Sequence, residues 1–180
     1  MPASRRLSQR ISEGDGIAII VCVDDADSAR AAEAQGAKAV AVRREVAGIR
    51  QATSLPLLWI GAGIPADADA VCVRPDARLD ANQVEAVVDV RDEDELEEAL
   101  EQLDPEIFLL SAVDLEEDID PLDAVLELLP DVPAGKLAIA RVDVSSREEV
   151  LALERAGIDA VLVLARGDVA GLVGHRPLEV

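Results

Sequence analysis

Short apolar runs recur along the chain at 17–23, 38–42, 55–60, 69–73, 85–90, 106–111, 136–141 and 159–164, each closed by charged or turn residues. Runs of this length, apolar on both alternating sets of positions, predict strands buried on both faces, as in a parallel sheet covered by helices. Between most of them lie segments with apolar residues spaced by three and four, which predict helices over 25–35, 45–52, 92–102, 121–129 and 145–156. The order is therefore strand, helix, strand, helix throughout. Cap residues mark the boundaries: Asp24 or Asp25 before the first of these helices with Gly36 after it, Ser145 with Glu148 as a capping box, and Gly157 as its C-terminal stop.

Three connections, 61–68, 75–84 and 167–173, leave room for only a turn or two of helix. The phrases QGAKAVAV, DADAVCV and AGIDAVLV, at 35, 67 and 156, each run a helix end into a strand, as repeated strand–helix units do. Eight strand signals in alternation fit a closed (β/α)8 barrel or an open doubly wound sheet, and periodicity alone leaves both standing.

Composition narrows the class. The 180 residues, half of them apolar, make one well-buried core, and no Pro/Gly/Ser-rich linker divides the chain. Trp59 and Phe108 are the only aromatic residues, so the core must be built from Val, Leu, Ile and Ala, the residues that fill barrel interiors. With 37 acidic residues against 17 basic ones the net charge is −20, which repels phosphate backbones and anionic lipid and argues against nucleic-acid or membrane partners. The apolar runs are too short to cross a bilayer, and residues 1–16 are polar and mixed in charge, without a signal-peptide core; a soluble, cytoplasmic protein is expected. Cys22 and Cys72 sit in separate strands without metal-ligand spacing, and the single histidine, His175, stands in a polar tail, so neither a metal nor a cofactor is implied.

The wording of several segments narrows the fold further. VEAVVDVRDEDELEEAL at 84–100, IFLLSAVDL at 107–115 and SSREEVLALERAGIDAVLV at 145–163 resemble the fifth, sixth, and seventh-to-eighth units of indole-3-glycerol phosphate synthase, a (β/α)8 lyase of tryptophan biosynthesis. The resemblance covers about residues 16–174. It implies a compact TIM barrel with some helices shortened or missing, as one domain: an N-terminal extension at 1–16, a barrel at 17–174, and a short tail.

It also implies where that family's chemistry would stand. The family's first strand carries a carboxylate and a catalytic lysine; the matching positions here are Ile19 and Val21. A second lysine, on strand three, is matched by Ile60. The strand-five glutamate becomes Asp89, and an asparagine on strand six becomes Ser111, followed by Ala112 and Val113. The strand-seven glutamate becomes Arg141, and the glycines that let a phosphate approach the backbone are replaced through 141–144 and 162–165. Ring closure with decarboxylation needs an acid, a base and two anion anchors, and one shortened carboxylate does not supply them.

The expectation is a diverged barrel without synthase activity, with Asp89, Ser111 and Arg141 as the weak candidates for any catalysis. Alternatives are a lyase with a rewired site and a small-molecule or protein-binding barrel. Strand alternation places Asp89 and Arg141 inward near the mouth, where an ion pair between them is expected, either as a plug or as a site for a small anion. Arg43, Arg74 and Arg166 form a rim patch that Asp24, Asp76, Asp114, Asp143 and Asp168 would neutralise. The glutamates of the 92–101 helix read as a solvated face, and Gly61–Ala62–Gly63 as a tight turn rather than a phosphate loop. Apolar flank left bare by the short helices would suit a monomer or a weak homodimer.

Overall fold

The structure, a computed structural model, describes residues 5–63, 65–78, 84–113, 115–165 and 168–174. Eight parallel strands, β1 (Ala18–Cys22), β2 (Ala39–Val42), β3 (Leu57–Trp59), β4 (Ala70–Val73), β5 (Glu85–Val90), β6 (Ile107–Ser111), β7 (Leu137–Arg141) and β8 (Ala160–Leu164), pair in sequence order, and β8 returns to β1 to close the barrel. Closure removes the open-sheet alternative.

The pleat divides the core in two. Ala18, Ile20, Ala39, Ala41, Leu58, Ala70, Val87, Ile107, Leu109, Ile139, Ala160 and Leu162 pack against one another inside the barrel. Ile19, Val21, Val40, Leu57, Trp59, Val71, Val88, Phe108, Ala140, Val161 and their neighbours face outward under the helices. Both sets are apolar because both are covered, which is why the strands read as continuous apolar runs and not as alternating ones.

The helices are α1 (Arg6–Ser12), α2 (Ala26–Ala34), α3 (Ile49–Ala52), α4 (Glu93–Gln102), α5 (Pro121–Leu128), α6 (Arg147–Ala156) and α7 (Val169–Val173). Asp25 caps α2 through the Ser28 N–H, and Gly36, at φ +96°, follows its end. Asp92 and Asp120 cap α4 and α5 in the same way. The capping box of α6 lies one residue beyond the expected pair: it is Ser146 with Glu149, because Ser145 stays outside the helix and also donates to the Glu149 carboxylate. The helix expected over 45–52 shrinks to the four residues of α3, since Gly48, at φ +74°, blocks helical continuation upstream. In α4, Leu96 and Ala99 face the barrel and most glutamates face solvent, but Glu95 turns back to accept from the Arg91 N–H and to pair with Arg74.

Within the expected polar extension, one face of α1 instead joins the core. Leu7 and Ile11, one helical turn apart on α1, are buried with Ile20, Leu58 and Ile107 and cork the N-terminal end of the barrel. The helix start is held by a strand. Glu85, the first residue of β5, accepts from the Leu7 N–H at 2.7 Å and the Ser8 N–H at 3.1 Å, satisfying two of the donors a helix N-terminus leaves open.

Burial pushes the Glu85 carboxyl above its ordinary value of 4.5, and the donated N–H groups offset only part of that. Burial likewise raises Asp159, which accepts from the Ala138 N–H. A carboxyl whose folded pKa exceeds its unfolded one binds protons more tightly in the folded state. Its stabilising contribution is complete below 4.5 for Glu85 and is lost as pH rises through the elevated folded value. The melting temperature should therefore climb as pH falls through the elevated Glu85 value toward 4.5, more steeply in the wild type than in Glu85→Gln, which keeps an acceptor but cannot ionise. Equal slopes in thermal melts would contradict the assignment.

Candidate functional site

At the C-terminal end of the strands a cavity of about 300 Å³ opens between β7, β8, β1, β3 and the loop after β6. Its walls are Cys22, Ile60, Ala112, Val113, Pro121, Val142, Leu162, Val163 and Leu164, and its charged groups are Arg43, Arg141 and Asp143. Parallel strands bring their C-terminal residues to one rim, which is why residues far apart in sequence meet here.

Of the three sequence candidates only Arg141 reaches this cavity. Asp89 and Ser111, 6% and 2% exposed, lie sealed among the strand ends. The ion pair expected between Asp89 and Arg141 does not form. Ser111, on the strand between them and in register with Arg141, donates its Oγ–H to Asp89 Oδ1 at 2.5 Å. Arg74, from the other neighbouring strand, stands 3.6 Å from Asp89 Oδ2 and donates to the Asp89 carbonyl at 3.1 Å. Asp89 is thus satisfied from both sides before Arg141 can compete. Among the described residues, the Arg141 side chain makes no hydrogen bond or ion pair, and the residue is half-buried.

The expected rim patch also separates. Arg74 is taken up by Asp89 and Glu95 instead of by the rim aspartates, Arg43 is exposed at the cavity edge, and Asp168 caps α7 through the Gly171 N–H. Arg166, Asp114 and His175 lie outside the described residues. Gly61 proves to be a close-approach glycine: a Cβ there would stand 2.6 Å from the Arg43 carbonyl and 3.0 Å from the Trp59 ring. Gly61 thereby fixes how the β2 and β3 exits sit beside the cavity, as a turn and not as an anion loop.

Cys22 is a site residue that strand reading alone missed. The resemblance assigned the first-strand carboxylate and lysine positions to Ile19 and Val21, yet both pack outward under the helices. The pleat makes Ile20 and Cys22 the inward pair, and Cys22 opens onto the cavity. The correction moves the positions by one residue and leaves them without a charge. The second thiol, Cys72, is pushed up to about 12, chiefly by burial, with Asp89 adding to the shift and Arg141 and Arg74 opposing it. It stays protonated at neutral pH and is no nucleophile. Among the described residues no group of His, Cys, Asp or Glu could hold a metal ion, and no helix is long and apolar enough to cross a membrane.

Comparison with known proteins bears on this mouth. No protein-family profile matches the chain. Indole-3-glycerol phosphate synthases from two strains of Acidithiobacillus ferrooxidans are 31% identical to it over 138 residues, covering 66% of this chain. The chain is a distant homologue of indole-3-glycerol phosphate synthase. It spans about half the length, 52%, of these curated relatives. Among solved structures, the N-acetylmannosamine-6-phosphate 2-epimerase from Clostridium perfringens superposes with a TM-score of 0.63 over 87% of this chain and 89% of its own, at 16% identity. That likeness concerns the barrel alone. The inward positions at the C-terminal half of the strands include Ile20, Cys22, Ile60, Asp89, Ser111, Arg141, Leu162 and Leu164.

Proposed function

We propose that this chain is a pseudoenzyme of the indole-3-glycerol phosphate synthase lineage, a barrel whose mouth binds a small molecule and does not close an indole ring. The observation that supports this most directly is the make-up of the mouth cavity. Its ionisable lining among the described residues is two arginines, whose guanidinium groups are suited to holding anions and not to acid–base work, the thiol of Cys22, and an exposed Asp143 that already has an interaction of its own. Asp89, the inward carboxylate at the mouth end of β5, is buried beneath that lining and held by Ser111 and Arg74. Among the described residues the cavity lining offers Asp143 as its one carboxylate, where hydroxyl loss and ring closure call for both an acid and a base.

The purified chain, given the family's substrate, is expected to form no indoleglycerol phosphate by fluorescence and not to rescue a tryptophan auxotroph lacking the synthase. Turnover within about a thousandfold of an active synthase would overturn the reading. A rewired lyase is the second reading. The Ser111–Asp89 hydrogen bond favours it, since a carboxylate that accepts from a hydroxyl can act as its general base. Any turnover found should then vanish in Asp89→Asn, and turnover that persists in that variant would exclude this route.

A further inference from the structure

We infer that the mouth cavity is a receptor for a short aliphatic monocarboxylate, with Arg141 holding the carboxylate and the apolar wall taking the chain. This rests on the reading of the mouth as a binding site. Arg141 is a half-buried cation with no acceptor among the described residues, set in a wall of Cys22, Ile60, Leu162 and Leu164. A guanidinium in that position presents its donors in a planar fork that matches a carboxylate. The walls carry no aromatic side chain and no amide, so the rest of the ligand meets hydrocarbon. The volume, about 300 Å³, lies at the small end for ligand sites.

Leu164 points to the same occupant. It is one of two large hydrophobic side chains left exposed among the described residues, at 40%, and it stands on the lip of this cavity, where an aliphatic chain would cover it. Charge selects a monoanion over a phosphate ester. The protein carries −20, Asp143 lies on the same wall as Arg141, and the β7 and β8 exits, Val142–Asp143 and Leu164–Ala165, have side chains where a phosphate would need bare backbone N–H groups. Arg43 at the rim draws the anion in without being required to hold it.

Calorimetric titration of the full chain with hexanoate should give one saturable site. Hexan-1-ol, of the same length without the charge, and inorganic phosphate should each bind at least about tenfold more weakly, as should hexanoate to Arg141→Gln. Leu164→Glu, a change on the exposed lip that leaves the core intact, supplies an internal carboxylate for Arg141 and should abolish binding. It also keeps the test decisive if Arg141→Gln does not fold. Equal affinity for hexanoate and hexan-1-ol, tighter binding of phosphate, or no saturation by hexanoate at about 10 mM, a concentration that already admits weak ligands, would overturn the inference. The same preparations assayed for synthase turnover separate the two claims: turnover defeats the pseudoenzyme reading, whereas absent binding without turnover defeats only the carboxylate site.

Discussion

Replacing Asp69 with alanine is expected to destabilise the barrel by about 2–3 kcal/mol, as loss of a buried charged acceptor of several hydrogen bonds does. Asp69 stands just before β4, its side chain 9% exposed, and accepts from three directions. Arg50 of α3 donates at 2.6 Å, Arg6 of α1 at 3.0 Å, and the Leu57 N–H at the start of β3 at 2.8 Å. One carboxylate therefore joins the N-terminal cork, the shortest helix and the shortest strand. Truncation leaves the Leu57 N–H without an acceptor in a buried position and two arginines without their anion. The arginines are partly exposed and can turn to water, which keeps the cost below that of a fully buried ion pair. Asp69→Asn should recover part of the loss, because its carbonyl can still accept from Leu57. Urea unfolding of the three proteins measures this, and a loss under about 0.5 kcal/mol for Asp69→Ala, the range of ordinary surface substitutions, would show that the hub carries no stability.

Leu7→Ala should cost as much or more, about 2–5 kcal/mol, the range for emptying a large side chain from a packed core. Leu7 is fully buried against the bottom layer of the barrel interior. The strands around it cannot collapse into the space, since their spacing is set by hydrogen bonds round a closed ring. The loss is expected to be global, with the mouth and the base unfolding in one transition, since both ends share one interior. Chemical denaturation read by far-UV circular dichroism and by Trp59 fluorescence should move together. Trp59 lies on the outer face of β3, in the cluster under the helices and not in the interior cluster that holds Leu7, so a shift in one signal without the other would show that the cork is an independent unit.

The eight strands and most helix limits were legible in the sequence because their causes are local. Apolar runs bounded by turn residues, Asp25 as an N-cap, and glycines at 36 and 157 each act within a few residues of chain. The cork was less legible. Leu7 and Ile11 have helical spacing, but a seven-residue amphipathic turn is no helix in water by itself, and its stability comes from Glu85 and Asp69, some eighty and sixty residues away. The site was legible in its residue types and not in its pairings. Asp89, Ser111 and Arg141 could be placed inward by alternation, yet which of them touched which depended on the order of neighbouring strands.

Sequence alone thus determined that this is an acidic, aromatic-poor chain of alternating strands and helices, with the wording of a synthase and without its charged strand ends. Tertiary structure decided the rest. The pairing of β5 between β4 and β6 brought Arg74 and Ser111 to Asp89 from either side and left Arg141 facing an apolar cavity without an acceptor among the described residues. The pleat chose Cys22 over Val21 as the mouth residue of β1. Periodicity and caps are properties of neighbouring residues, whereas partnership among charges is set by distance in space, and that distance exists only once the strands have paired in their order round the barrel.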